Sequence, residues 1–136
     1  MPGATHRVVV DTNLWINFLL THDPLRLNSL FENSRLTPLF SNTLLEEFVE
    51  VARRPKFKKY FSLSDLEELL LQIEQKAEFM SVTSTVDLCR DSKANFLLAL
   101  AIDGKATHLL TGDKDLLVLE QLNRTQILSI ADYLAG

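Results

Sequence analysis

Three acidic side chains in the sequence stand where divalent-metal chemistry needs them: Asp11, Glu47 and Asp113. Asp11 closes the β-branched run Arg7-Val8-Val9-Val10, and Asp113 follows Leu109-Leu110-Thr111-Gly112. A short apolar run ending in an acid reads as a buried strand whose carboxylate emerges at its carboxyl end. In an open parallel sheet the functional crevice lies beyond those ends, so neighbouring strands deliver both acids to one place. Carboxylates held close together resist joint ionisation unless a cation neutralises them. Hard oxygen ligands suit Mg2+ or Mn2+ rather than zinc. Taken singly, each Asp serves equally well as the cap of the helix that follows it.

The third acid is chosen by helix geometry. Ser41 and Asn42 are N-cap types that open a helix through Arg53, stopped by Pro55. At about 100° per residue, Leu44, Leu45, Phe48, Val51 and Ala52 make one apolar stripe. Glu46 and Glu50 lie nearly opposite it and face water. Glu47 is at its edge, a turn before Val51, from where it reaches over the core toward a crevice. A solvated flank position for Glu47 stays open.

The elements that must position these acids alternate. Strands are expected at Arg7–Asp11, Leu36–Phe40, Met80–Thr83, Thr107–Thr111 and Thr125–Ser129. Helices are expected at Asn13–Leu20, Pro24–Asn33, Asn42–Arg53, Ser64 to about Ala77, Ser92–Asp103, Gly112–Leu122 and Ile130–Leu134. Ser64-Asp65-Leu66-Glu67 matches the capping box S-x-x-E, and Gly104 reads as a helix stop. Such alternation marks an α/β fold, three-layer α/β/α with a central mainly parallel sheet. With no repeat, linker or low-complexity stretch, residues 1–136 are expected to form a single domain.

Composition bounds the function. A lone cysteine, Cys89, excludes an internal disulfide. No signal peptide or run of roughly 20 apolar residues is present, so a cytoplasmic protein with no membrane contact is expected. The net charge of −4 argues against a bulk electrostatic grip on nucleic acid, so any such contact must be local. One basic cluster qualifies: Arg53, Arg54, Lys56, Lys58 and Lys59, interleaved with Phe57, Tyr60 and Phe61. Its other reading is a helix C-terminus complementing the dipole, then a solvated loop. His6, His22, His108 and Cys89 show no ligand spacing and read as structural, and Trp15 as core.

Three segments resemble the PIN domain family. Val8-Val9-Val10-Asp11-Thr12-Asn13 is similar to its first strand and D-T-N. The run from Ser41 to Phe48 and Arg53-Arg54-Pro55-Lys56-Phe57 resemble its acidic helix and R-P-K-F continuation. The third, Thr111-Gly112-Asp113-Lys114-Asp115-Leu116-Leu117, looks like its T-G-D-x-D-L-L. The nearest group is the toxin components of bacterial toxin–antitoxin systems. The resemblance implies a metal-dependent endoribonuclease using Mg2+ or Mn2+, with Asp11, Glu47 and Asp113 as metal-binding acids. Asp115 is a further candidate ligand, and Asn13 and Thr111 candidates to orient a carboxylate. RNA is the implied substrate, contacted by the Arg53–Lys59 cluster. An antitoxin protein and a second copy of the chain are the implied partners, with Leu14–Leu20 and Leu25–Phe31 as candidate interface helices or ordinary core.

A fourth segment departs from the family. Where relatives resemble C-R-D-P-x-D-N, this chain has Cys89-Arg90-Asp91-Ser92-Lys93-Ala94-Asn95. Ala94 stands at the position of a metal-site carboxylate, and Asp91, better explained as an N-cap, is the candidate substitute. Losing one acid lowers the charge that attracts a second cation. The competing reading is therefore a PIN-like module that binds RNA or protein without cutting. A haloacid-dehalogenase-type phosphotransferase needs D-x-D, and Asn13 fills its second position. A receiver domain needs paired acids at the first strand, and Asp11 is alone there.

Overall fold

The computed structural model describes residues 5–22, 28, 30–32 and 35–135. In chain order its elements are β1 His6–Val10, α1 Thr12–Thr21, β2 Leu36–Phe40, α2 Asn42–Ala52, a 3-10 turn Pro55–Phe57 and α3 Leu63–Lys76. They continue as β3 Glu78–Phe79, α4 Ser92–Asp103, β4 His108–Leu110, α5 Lys114–Leu117, β5 Gln121–Leu122, β6 Thr125–Leu128 and α6 Ile130–Ala135. The expected helix at Pro24–Asn33 lies largely outside the described residues.

Six strands form one sheet in the order β3-β2-β1-β4-β6-β5. Every pairing is parallel except β5 with β6. Helices flank it, giving the three-layer α/β/α arrangement: α4 lies across β1, β2 and β4, α3 against β2, and α1 against α2. Val8, Val9 and Val10 are buried on both faces of the sheet, as a central parallel strand requires. The order runs outward from β1 through β2 to β3, then returns to β4 on the other side of β1. The reversal at β1 and β4 is the topological switch point, where a crevice opens beyond the strand ends.

Local chemistry explains the helix boundaries. The Ser41 side chain accepts from the Leu44 amide at 3.0 Å and starts α2. Leu44, Phe48 and Ala52 then bury their stripe in the core. The N-cap of α3 is Ser62, two residues before the expected Ser64. Ser62 and Asp65 form the capping box, Asp65 N donating to Ser62 Oγ at 3.1 Å and Ser62 N to Asp65 Oδ2 at 2.9 Å. Two overlapping S-x-x-acid registers exist here, and the earlier one is used; Leu66, Leu69 and Ile73 face inward.

Two expectations about strands and helices fail, each for a visible reason. Residues 80–83 are not a strand. Met80 N still donates to Phe40 O at 2.9 Å, but Asp103 then takes the Thr83 and Ser84 amides at 2.6 and 3.0 Å. A side chain at the end of α4 thus replaces the neighbouring strand. The helix expected over residues 112–122 shrinks to α5, and a hairpin follows it. Leu122 pairs with Thr125, so Asn123-Arg124 is a two-residue turn, with Asn123 at φ 53°. Gly104 caps α4 at φ −85°, and Lys105 rather than Gly104 takes the left-handed position, at φ 51°. Space is what requires glycine here: a Cβ would lie 2.7 Å from Leu39 Cδ1 and 2.8 Å from Met80 Sδ.

Toward the amino ends of the strands, His6, His108 and Tyr133 pack together. His6 Nδ1 lies 2.7 Å from the Tyr133 hydroxyl, and the two imidazole rings are 4.5 Å apart. Burial, and then the neighbouring His6, hold the His108 imidazole below its ordinary value. The unfolded chain therefore binds more protons near that range, so stability is full above about pH 6.5 and is lost as pH falls through it. The urea midpoint should drop between pH 7.5 and 5.5, and His108→Phe should flatten that slope; equal slopes would count against a neutral, half-buried His108.

Candidate active site

Asp11 follows the last residue of β1, and its backbone amide donates to Leu110 O at 2.9 Å, continuing the β1–β4 ladder. The side chain is held from two sides. Oδ1 accepts from the Asn13 amide at 3.1 Å, and Oδ2 accepts from the Thr111 hydroxyl at 2.8 Å. Asp11 is only 7% exposed and Thr111 is fully buried. Burial raises the Asp11 carboxyl above its ordinary value; the bonds from Thr111 and Asn13 oppose this, and the charges of Asp113 and Asp91 add to it.

Thr111 also ties the second acid to the first, because its Oγ1 accepts from the Asp113 amide at 3.0 Å. Asp113 Oδ1 in turn accepts from Asp115 N at 2.9 Å and caps α5. Asp91 does the same for α4, its Oδ1 accepting from Lys93 N at 2.9 Å. Capping and cleft lining are not alternatives here. One carboxylate oxygen performs the cap, and among the described residues the other oxygen of Asp91 and of Asp113 makes no hydrogen bond.

A cleft of about 290 Å3 opens at this point, and Asp11, Glu47, Asp91 and Asp113 all line it. Glu46 and Glu50 are exposed. Ala94 forms part of the wall, only 3% exposed. Of the basic cluster, Arg54 and Lys56 line the cleft, whereas Arg53, Lys58 and Lys59 are exposed and do not. Lys56 Nζ lies 5.1 Å from the Phe57 ring centre, and Phe57 also lines the cleft. Asp115 is exposed and off the cleft; its amide donates to the capping Asp113 carboxylate while its carbonyl meets Cys89 Sγ at 3.9 Å. Asn13 reaches Asp11 through its backbone, a contact any residue but proline can supply.

Sequence reasoning passed over Lys93 and Asn95. Lys93 lines the cleft, with Nζ 3.5 Å from Glu47 Oε1. Asn95 holds the preceding loop on α4: its Oδ1 accepts from Leu88 N and Cys89 N at 3.0 and 2.8 Å, and Nδ2 donates to Cys89 O at 2.8 Å. The available signal was position: both fall in the first turn after the Asp91 cap, beside an acid already singled out.

A profile for the PIN domain matches residues 7–115, well over half of the chain. The chain belongs to the PIN domain family. No curated protein gives a significant match. PIN domains are generally nucleases that use divalent metal ions. The donor set of this PIN domain suits such an ion in kind: oxygen ligands, on a cleft where Asp113 and Asp91 disfavour the charge on Asp11. Among the described residues no three acid, histidine or cysteine groups form a closed ligand set. No helix of the described chain is long and apolar enough to cross a membrane.

Proposed function

We propose that this PIN domain is an endoribonuclease that hydrolyses RNA phosphodiesters with the aid of Mg2+ or Mn2+. One observation carries the reading: acids from the end of β1, α2, the start of α4 and the loop after β4 line the same cleft as Arg54, Lys56 and Lys93. Cations and acids lining one small cleft match a phosphodiester held against a metal-binding centre. Asp11, Glu47 and Asp113 would hold the ion, with Asp91 as a fourth acid.

A bound dication would supply charge neutralisation on the phosphate and acidification of the attacking water. The chain does the rest. Thr111 fixes the direction of the Asp11 carboxylate through its 2.8 Å hydrogen bond. Arg54 and Lys56 meet the negative backbone, and the Phe57 ring offers a stacking face to an unpaired base. A cleft of about 290 Å3 is at the lower end of ligand-cleft sizes. No side chain is needed as a covalent nucleophile.

The likeness of the D-T-N and T-G-D-x-D-L-L segments to toxin components supports that role, with an antitoxin protein and a second copy of the chain as partners. On α1, Trp15, Ile16, Phe18 and Leu19 are buried, so that helix serves the core first. Most of Leu25–Phe31 lies outside the described residues. A second reading, binding without cutting, is favoured by Ala94 in the cleft wall and the open ligand set. Single-stranded RNA incubated with Mn2+ and with EDTA separates the two. Cleavage that depends on Mn2+ and stops with EDTA is expected. No cleavage at any Mn2+ concentration would favour the binding module.

A further inference from the structure

We propose that Lys93 is a built-in counter-cation of the cleft: its ammonium occupies Glu47 when no metal is bound and must yield before a dication can use that carboxylate. The inference rests on the metal-dependent reading above. Three observations support it.

First, Lys93 stands where helix stability does not want it. It is the second residue of α4, and a cation in the first turn of a helix is opposed by the dipole. What does favour a cation there is the cleft, which Lys93 shares with Glu47, Asp11, Asp91 and Asp113. Second, the ammonium is already engaged with one of the candidate ligands, at 3.5 Å from Glu47 Oε1. Third, the pair is loose. Lys93 is 57% and Glu47 27% exposed at the side chain, so water screens their attraction and separating them costs little. A dication, with twice the charge and a fixed coordination demand, displaces such a partner, but at a higher concentration than it would need without the competitor.

Lys93 therefore sets the metal concentration at which the cleft fills. The role is positional and regulatory, since Lys93 acts through Glu47 rather than on the reacting atoms.

Mn2+ binding to the full chain, followed by the loss of the free Mn2+ electron-paramagnetic-resonance signal, tests this without any activity readout. Lys93→Gln should tighten the Mn2+ dissociation constant roughly three- to tenfold, on the order expected when one screened unit charge leaves the neighbourhood of a dication. Lys93→Arg, which keeps the charge, should stay within about twofold of the parent. Asp11→Asn should weaken binding in either background. If Asp11→Asn weakens binding while Lys93→Gln binds Mn2+ no more tightly than the parent, the counter-cation role is wrong and the metal site survives. If Asp11→Asn leaves binding unchanged, or no chain binds Mn2+, the metal site itself falls and the inference with it.

Discussion

Asp11→Asn is expected to lower Mn2+-dependent RNA cleavage by at least about a hundredfold while leaving the domain folded. The size follows from what the carboxylate does. Changing a group that merely orients a metal ligand already costs about 10- to 100-fold, and Asp11 is proposed as a ligand itself. The retained fold follows from its surroundings. Asparagine caps a helix as well as aspartate, so the bond from the Asn13 amide to the side-chain oxygen persists. One hydrogen bond, that from Thr111, must rearrange, which costs about 1 kcal/mol. Against this stands the charge. The folded Asp11 carboxyl titrates above its ordinary value, so stability rises as pH falls, and at neutral pH the ionised side chain is a net cost to the folded state. Asparagine removes that cost. Thermal unfolding in EDTA should therefore place Asp11→Asn at or slightly above the parent, while the cleavage assay shows near loss. If expression of the parent arrests growth, as a toxin would, the same change should relieve it. A variant that unfolds early would mean the lost activity reports structure rather than chemistry.

Ala94→Asp is the second large effect, and it runs the other way. Ala94 is on the cleft wall beside Lys93 and 3% exposed, so a carboxylate there is buried and points at the same space as Asp11, Glu47 and Asp113. Without metal it adds an unpaired charge to a crowded acidic site, which costs stability. With metal it adds a ligand. The variant should melt below the parent in EDTA and gain more from saturating Mn2+ than the parent does, because binding to the folded state alone stabilises in proportion to the logarithm of affinity. Cleavage should rise by roughly tenfold or more at limiting Mn2+, in line with the cost of losing a metal-site partner read in reverse. Equal melting gains and equal rates would show that the cleft takes no benefit from a further acid at this position.

The acidic crevice was legible in the sequence to the extent that it depends on strand ends. Val8-Val9-Val10-Asp11 and Leu109-Leu110-Thr111-Gly112-Asp113 announce buried strands that stop at acids, and the structure pairs β1 directly with β4. The face of α2 was legible too, since a stripe of Leu44, Phe48 and Ala52 leaves few orientations for Glu47. What the sequence concealed depends on contacts between distant segments. Nothing in residues 80–90 shows that Asp103 and Asn95 will claim their amides and keep them out of the sheet. The apolar residues after Asp113 suit a helix as well as a hairpin, and the left-handed turn at Asn123 decides between them only once β6 is in place. The basic cluster read as one unit, yet the turn at Pro55–Phe57 brings Arg54 and Lys56 to the cleft and leaves Lys58 and Lys59 in solvent. Lys93 was invisible for a related reason: its meaning lies in Glu47, 46 residues away in the chain.

The most direct test is a crystal of this PIN domain soaked in Mn2+ and measured for anomalous scattering. Density within oxygen-ligand distance of Asp11 and Asp113, with Glu47 turned from Lys93 toward the ion, is the predicted result. Manganese bound only elsewhere on the surface, or none at saturating concentration with Glu47 still facing Lys93, would contradict the assignment of this cleft as a metal-dependent active site.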